Sequence, residues 1–504
     1  MKIIDLLTNS AAGQPHRIAM KSGDIEVSYG QMLSDVYHLS ERLKSAGCSG
    51  RVKVAIVLNN SAEYLISFFA VSAAGGIILP LSTRMTPYEV ARYVDRADVS
   101  IVITNQTYGK RLPNRLGGSN RVTVIYVRYD VNKNLEVEDC ILGDCEVDEE
   151  NGDAALMVPT SGTNGLSKIV LLTDSNLISN MIIYRSLMSF DGHNAVYCAL
   201  SVHHIYCICA QILTHISLAD TFVISDKPFF IKDFLKAVET YNVTITAFVP
   251  YMAILLAEYP KPQEFNLESL KYITLSGAKT PKSTYKLLTE KYRRIQFINT
   301  YGMSEAGSRI SIAAPFPSRF PIESVGRPMP AVTVRIVDDE GNIATPNSPG
   351  EIVVKSSGIM KGYYKQPDLT AGTIVNGWLK TGDIGKLDEN GNLFILGRAK
   401  DIIITGGENV CPFEIEECLL EHPAICEAAV VAQKHKLLQE VPCAFIVKNN
   451  LPEKLTQVDI IEFCKSRLSS HKIPRSINFL EKLPKLSTSK VDRNALIKMA
   501  DNLY

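Results

Sequence analysis

The segment Thr160-Ser161-Gly162-Thr163-Asn164-Gly165-Leu166-Ser167-Lys168 crowds hydroxyls and glycines between two apolar runs, Ala154 to Val158 and Ile169 to Leu172. Such a loop can turn backbone amides and hydroxyl donors toward one point, and Lys168 adds positive charge, so the segment reads as a cradle for phosphate oxygens. An ordinary turn is the competing reading. The spacing departs from Gly-x-x-x-x-Gly-Lys-Ser/Thr, and no helix-opening Lys-Ser/Thr follows, which separates it from a kinase-type P-loop. A second group, His203, His204, Cys207 and Cys209, has side chains that suit zinc. Its spacing matches no usual finger, and buried reduced thiols are the expectation there.

The elements that must carry these groups alternate. Val52 to Leu58 is a β-branched run, Tyr64, Leu65, Phe68, Phe69 and Val71 recur at helical spacing, and Ile77 to Pro80 is apolar again. Thr86-Pro87-Tyr88-Glu89 predicts a helix start, with Thr86 as N-cap and Pro87 at the first helical position, before the strand-like Ile101 to Ile103. Strand–helix alternation of this kind implies parallel sheets covered by helices. From Val127 to Asp153 acidic residues accumulate with little periodicity, which predicts a surface connection. After about residue 400 the pattern becomes a smaller α+β arrangement, with strands at Ala428–Val431 and Ala444–Val447 and an amphipathic helix from Gln457 to Leu468.

Composition excludes several classes. The chain has 504 residues, 46% of them hydrophobic, enough for large cores and more than one domain. With 53 basic and 53 acidic residues it lacks the net charge of a protein that binds nucleic acid by displacing counterions. The segment before Ser28 shows no secretory signal pattern, so a cytoplasmic address is expected. The charge-free stretch Ala195 to Ala219 contains His203, His204, Gln211 and His215, which argues for buried core beside a pocket and against a membrane span. The 11 cysteines form no Cys-x-x-Cys pair, so no disulfide framework is implied.

Further motifs follow the first loop in order: Asn299-Thr300-Tyr301-Gly302-Met303-Ser304-Glu305; Gly350-Glu351-Ile352 with Lys361-Gly362-Tyr363; Trp378-Leu379-Lys380-Thr381-Gly382-Asp383; Gly397-Arg398-Ala399-Lys400-Asp401; Gly406-Gly407-Glu408-Asn409-Val410 with Pro412; and Leu483-Pro484-Lys485 with Lys490 and Arg493. The ordered set resembles the adenylate-forming superfamily of acyl- and aryl-CoA synthetases, luciferases and peptide-synthetase adenylation domains, over nearly the whole chain. It is closest in motif to aryl- and acyl-CoA ligases such as 4-coumarate-CoA ligase. The resemblance implies an α/β fold with a large N-terminal domain of β-sheets covered by helices and a smaller mobile α+β C-terminal domain. The expected units are residues 1–397, a hinge at 398–400 and a small domain at 401–504. The implied activity uses ATP and Mg²⁺ to make an acyl-adenylate with release of pyrophosphate, then an acyl thioester with CoA.

The same resemblance assigns roles. Thr160, Ser161, Gly162, Thr163, Gly165 and Lys168 would cradle the phosphates. Glu305 would hold Mg²⁺, a task suited to a hard oxygen ligand. Lys490 would stabilise the transition state between the attacking carboxylate and the α-phosphate. Asp383 can accept from both ribose hydroxyls, Arg398 can add a ribose or phosphate contact, and Gly277-Ala278 would let adenine approach the backbone. Thr300, Tyr301 and Ser304 belong to the same nucleotide-binding set. Lys400 would be the hinge. Without the resemblance, Glu305, Asp383, Arg398 and Lys490 read as surface charges and Gly277-Ala278 as a strand-ending turn.

Asn164, Ser167, Ile169 and Asp174 stand where this family usually has Thr, Pro, Gly and His, and Ser489 where it has Gly, so slower adenylation is an expectation. No acidic residue lies between Asp191 and Asp220, whereas α-amino-acid adenylation domains usually place an Asp near here to pair with the ammonium. Ser201-Val202-His203-His204-Ile205-Tyr206 instead resembles the aryl- and acyl-CoA ligases, which implies that His204 and Tyr206, with Met303, line the acid pocket and that His204 lies near the carboxylate. A buried aromatic pair is the alternative. An aryl or medium-length acyl acid without an α-amine is expected. The acceptor remains open between CoA and a carrier-protein phosphopantetheine. A rival of another class is a catalytically silent nucleotide-binding regulator.

Overall fold

The computed structural model describes residues 1–23, 25–48, 51–112, 122–130, 134–141, 145, 148, 151–160, 168–190, 192–314, 320–338, 340–405, 408–449, 455–486 and 491–502. Local signals are honoured where they are strong. The helix Pro87–Arg96 starts on a reciprocal cap: Glu89 N–H donates to Thr86 Oγ1 at 3.2 Å, and Thr86 N–H donates to Glu89 Oε2 at 2.7 Å. The helix Ala62–Ala74, apolar almost all round, is buried accordingly; Phe68 and Phe69 are 0% exposed. Each such ring contributes about 1.5–3 kcal/mol of burial.

Two large sheets sandwich that core. In the eight-stranded sheet, Ala154–Thr160, Ile77–Leu81, Lys53–Val57, Ile101–Thr104 and Thr123–Tyr129 run parallel as neighbours, and antiparallel strands Lys168–Thr173 and Leu135–Ile141 flank them. In the nine-stranded sheet, Ile18–Ser22, Thr221–Ile224, Ala195–Tyr197, Ile245–Phe248, Tyr272–Leu275 and Gln296–Tyr301 are parallel neighbours. One continuous hydrophobic core joins them, through residues such as Ile56, Phe68, Val196 and Phe222. Thr333–Val337, Gly350–Lys355, Trp378–Leu387, Ile374–Val375 and Leu393–Arg398 form a third, antiparallel sheet.

The C-terminal part has its own mixed sheet, in which Ile425–His435 and Gln439–Lys448 form a long hairpin and Ser476–Phe479 pairs parallel to it. Its faces carry two hydrophobic clusters built from residues 403–500. The α/β architecture of a large N-terminal sheet domain and a smaller C-terminal domain is as expected. The acidic stretch is a correction. At its start Thr123–Tyr129 pairs with Leu135–Ile141 as an edge hairpin, and Asp148 is buried against Lys53 at 3.1 Å. An edge strand carries charge on its solvent side, so its composition resembles a loop.

Candidate active site

The motif from Thr300 to Glu305 leaves the end of the strand Gln296–Tyr301 and doubles back within ten residues, because Ile310 N–H donates to Tyr301 O at 2.8 Å and Met303 O accepts from Ala306 and Ser308 N–H at 3.1 and 3.2 Å. Gly302 permits this: a Cβ there would be built into the Ser308 carbonyl oxygen. Glu305 sits at the tip, 9% exposed, where its Oε1 accepts from the Tyr363 hydroxyl at 3.0 Å and its own carbonyl accepts from Met360 N–H at 2.8 Å. Tyr363 in turn pairs with Val170 beside Lys168, whose Nζ lies 4.7 Å from the centre of the Tyr363 ring. Burial and then the Glu305 carboxylate push the Tyr363 hydroxyl well above its ordinary pKa, so it remains a donor. Lys168, Tyr363 and Glu305 thus form one stack that ties the exit of the Ser/Thr/Gly loop to the later motif.

The root of the same turn meets the third sheet. The Tyr301 hydroxyl donates to Asp383 Oδ2 at 2.6 Å, and Arg398 Nε lies 2.7 Å from Asp383 Oδ1. Asp383 and Arg398 are paired across adjacent strands, and Asp383 N–H donates to Thr381 Oγ1 at 3.1 Å. Burial and Asp383 raise the Tyr301 hydroxyl well above its ordinary pKa. Asp383 itself is 4% exposed while the Arg398 side chain is 46% exposed, so the carboxylate is held rigidly beneath a more accessible guanidinium. Thr300 is buried, its hydroxyl donating to Leu275 O at 3.3 Å. Just beyond Leu275, Gly277 adopts φ of +87° and both Gly277 and Ala278 are exposed, and a Cβ at Gly277 would come within 3.1 Å of Val249 Cγ1.

On the neighbouring strand, Thr274 Oγ1 is 2.6 Å from the Tyr206 hydroxyl. Tyr206 lies in the short helix Ile205–Cys207, which continues through a widened π-type segment, Ile208–Leu213, and is buried from Cys207 to Ile216. The stretch read as core beside a pocket is therefore core. His204 precedes this helix, exposed, its ring centre 4.3 Å from that of His203. Burial, then His204 and Arg84, hold His203 well below its ordinary pKa, and it is neutral at pH 7. Among the described residues no cluster of three His, Cys, Asp or Glu side chains is placed to hold a metal.

Met303 and Ser304 lie half-buried in the turn itself. Lys400 is exposed in the single turn Ala399–Asp401 between the third sheet and the C-terminal sheet. The small domain also touches the large one next to the glycine turn: Lys279 pairs with Glu417 at 2.6 Å and lies 4.0 Å from the Phe413 ring centre. A partly exposed pair of this kind is worth about 0–1 kcal/mol. Ser161, Gly162, Thr163 and Gly165 of the loop, and Lys490 with its neighbour Ser489, fall outside the described residues. Sequence reasoning gave no role to Tyr363 or Thr381, although both lie inside quoted motifs. Their signal was a hydroxyl at a motif position, and their partners are distant in sequence.

The AMP-binding enzyme family matches residues 7–364, and the AMP-binding enzyme C-terminal domain matches residues 414–490. The 2-succinylbenzoate–CoA ligase of Bacillus cereus (strain ZK / E33L) is 31% identical over 491 residues, covering 97% of each chain. The o-succinylbenzoate coenzyme A synthetase of Bacillus subtilis, solved with AMP, superposes with a TM-score of 0.84 at 28% identity, again over 97% of each chain. The anthranilate CoA ligase AuaEII, solved with anthranoyl-AMP, shares the fold with a TM-score of 0.88 at 20% identity over 100% of this chain and 98% of that one. The chain belongs to the AMP-binding enzyme family. Within it, the protein is an ATP-dependent, AMP-forming acid–thiol ligase of the CoA ligase type, which forms an acyl-adenylate and then a thioester. No helix among the described residues is long and apolar enough to cross a membrane.

Proposed function

We propose that the acid is an aryl or medium-length acyl acid without an α-amine, that the thiol is that of coenzyme A, and that the reaction runs in the cytoplasm. The observation that carries this reading is the convergence of Lys168, Tyr363 and Glu305 on one end of a ten-residue turn whose other end carries Tyr301, Asp383 and Arg398. In the first step a carboxylate oxygen attacks the α-phosphorus of ATP and pyrophosphate leaves. In the second the thiol sulfur attacks the acyl carbon, AMP leaves and the thiol proton is lost to water.

Asp383 and Arg398 hold the ribose, the Gly277-Ala278 surface receives the adenine, and Thr160, the loop after it and Lys168 receive the phosphates. One Glu305 oxygen accepts a hydrogen bond from Tyr363 and the carboxylate is a hard oxygen donor, so Glu305 would hold Mg²⁺ when it is bound. That ion would neutralise charge on the phosphates. Lys490 stabilises the pentacoordinate phosphorus electrostatically, and His204 lies near the reacting carboxylate, with Tyr206 and Met303 lining the pocket. Residues 1–397 act as one body and 401–504 as another. The small domain swings about 398–400 after adenylation, withdrawing Lys490 so that the thiol can enter.

Support for the acid comes from the lack of acidic residues between Asp191 and Asp220 and from relatives that are named for an aryl acid. The test is acid-dependent ATP–pyrophosphate exchange over aryl, aliphatic and α-amino acids, followed by thioester formation with free CoA and with a phosphopantetheinylated carrier. Exchange with an α-amino acid alone overturns the acid assignment, and transfer to the carrier alone overturns the acceptor.

A further inference from the structure

Arg309 is the bulkiest fully buried side chain of the described protein, 1% exposed, and its Nε, Nη1 and Nη2 have no hydrogen-bond partner among the described residues. Among the described residues no carboxylate forms an ion pair with it. Its position is set by the turn already described. Ser308, immediately before it, is held at φ of +110°, a strained value for a residue with a side chain, while Asn180 Nδ2 donates to Arg309 O at 2.8 Å. Ser308 Oγ and Asn180 Oδ1 are also buried without a partner among the described residues, so the orphaned polar atoms gather around one residue.

Two tyrosines lie against the guanidinium. Its carbon lies 3.6 Å from the ring centre of Tyr184 and 5.1 Å from that of Tyr206. A cation–π contact attracts the charge, but it gives the N–H donors of the guanidinium no hydrogen-bond acceptor. Tyr184 supplies no counter-charge, because burial pushes its hydroxyl up to about 12. A buried, unpaired cation is costly to keep, and an apolar side chain of similar volume would fill the space more favourably. A resident charge that nothing among the described residues neutralises is explained by an anion that arrives. Tyr206, whose hydroxyl is fixed by Thr274, joins this charge to the segment read as the acid pocket.

We infer that Arg309 is an anion subsite of the acid pocket, so that the preferred acid carries a second carboxylate besides the one that is activated. This rests on the pocket assignment made above for Tyr206. The planar fork of Arg309 matches a carboxylate bidentately, and an acid lacking that group leaves the cation buried and unpaired, which rejects it. Arg309 touches no reacting atom; it selects the substrate.

The test compares pyrophosphate exchange on a series of aryl and straight-chain diacids, 2-succinylbenzoate among them, with the monoamide of each. The wild type should favour diacids by about 10–100-fold in kcat/KM, the range expected for hydrogen bonds to a charged group. Arg309→Met should bring that ratio near one, mainly through KM for the diacid, while melting at or above the wild-type temperature, and Arg309→Lys should restore part of it. Equal wild-type rates on diacids and monoamides, or an Arg309→Met loss that is the same for both, would overturn the subsite while leaving the ligase reading intact. If no acid supports exchange, the ligase reading fails instead. A diacid-induced rise in melting temperature, present in the wild type and absent in Arg309→Met, then still decides the subsite.

Discussion

Tyr301 and Asp383, 82 positions apart in sequence, meet through a hydrogen bond of 2.6 Å, and this bond fastens the third sheet to the last strand of the parallel sheet. Asp383 is buried and is held from the other side by Arg398. Tyr301→Phe removes one donor from a buried carboxylate and should cost about 1–3 kcal/mol of stability. It should also raise KM for ATP several-fold with a smaller change in kcat, since the carboxylate proposed to hold the ribose loses its orientation. Denaturant unfolding and ATP titrations check the two parts, and an unchanged KM would separate Asp383 from the nucleotide.

Gly302 is where the motif turn folds on itself. Because a Cβ would collide with the Ser308 carbonyl, Gly302→Ala must displace backbone, and the shift is passed to both Glu305 and Arg309. Adenylation should fall steeply while Gly341→Ala, at a site where a Cβ meets nothing, leaves the rate within twofold despite its positive φ. Parallel pyrophosphate-exchange assays on the two variants are sufficient.

Glu416 is buried in the small domain, where Arg493 Nη2 reaches its Oε1 at 2.7 Å and Val430 N–H donates to the same oxygen at 2.7 Å. Burial raises the Glu416 pKa above its ordinary value, with Arg493 opposing the rise. Arg493→Met leaves the carboxylate buried without its cation and should destabilise the small domain by about 3–5 kcal/mol. The folded-state pKa then lies further above the unfolded one, so the folded form takes up a proton more readily. Stability is therefore greatest below the unfolded pKa and is lost as pH rises through the folded value. Thermal melts at about pH 5 and about pH 8 should show a wider gap between variant and wild type at the higher pH.

Lys490→Ala should lower adenylation by about 10²–10³-fold, as for loss of a transition-state donor, while thioester formation from supplied acyl-adenylate persists. Equal loss of both half-reactions would remove the assignment.

Lys400→Pro fixes φ within the turn Ala399–Asp401 and restricts the residue before it. Adenylation should survive better than thiol transfer. Unchanged transfer kinetics would place the pivot elsewhere.

Order and spacing along the chain were enough to determine the family, the α/β class, the strand–helix alternation from Lys53 to Thr104 and the cap at Thr86, because each is read from residue types in order along the chain and none requires knowing which distant elements meet. The motif residues Tyr301, Glu305, Asp383 and Arg398 were legible for the same reason: their types stand in a recognisable sequence. What they touch was not. The antiparallel pairing of Thr160 with Lys168, the edge hairpin within the acidic stretch and the stack of Lys168, Tyr363 and Glu305 depend on which strands become neighbours, and that is decided by burying apolar faces far apart in the chain. Arg309 shows the difference most clearly. In sequence it is one charged residue after a motif, with solvent as its natural place. Only the meeting of Tyr184, Tyr206 and the Gly302 turn encloses it, and enclosure is what changes an ordinary cation into a selective one.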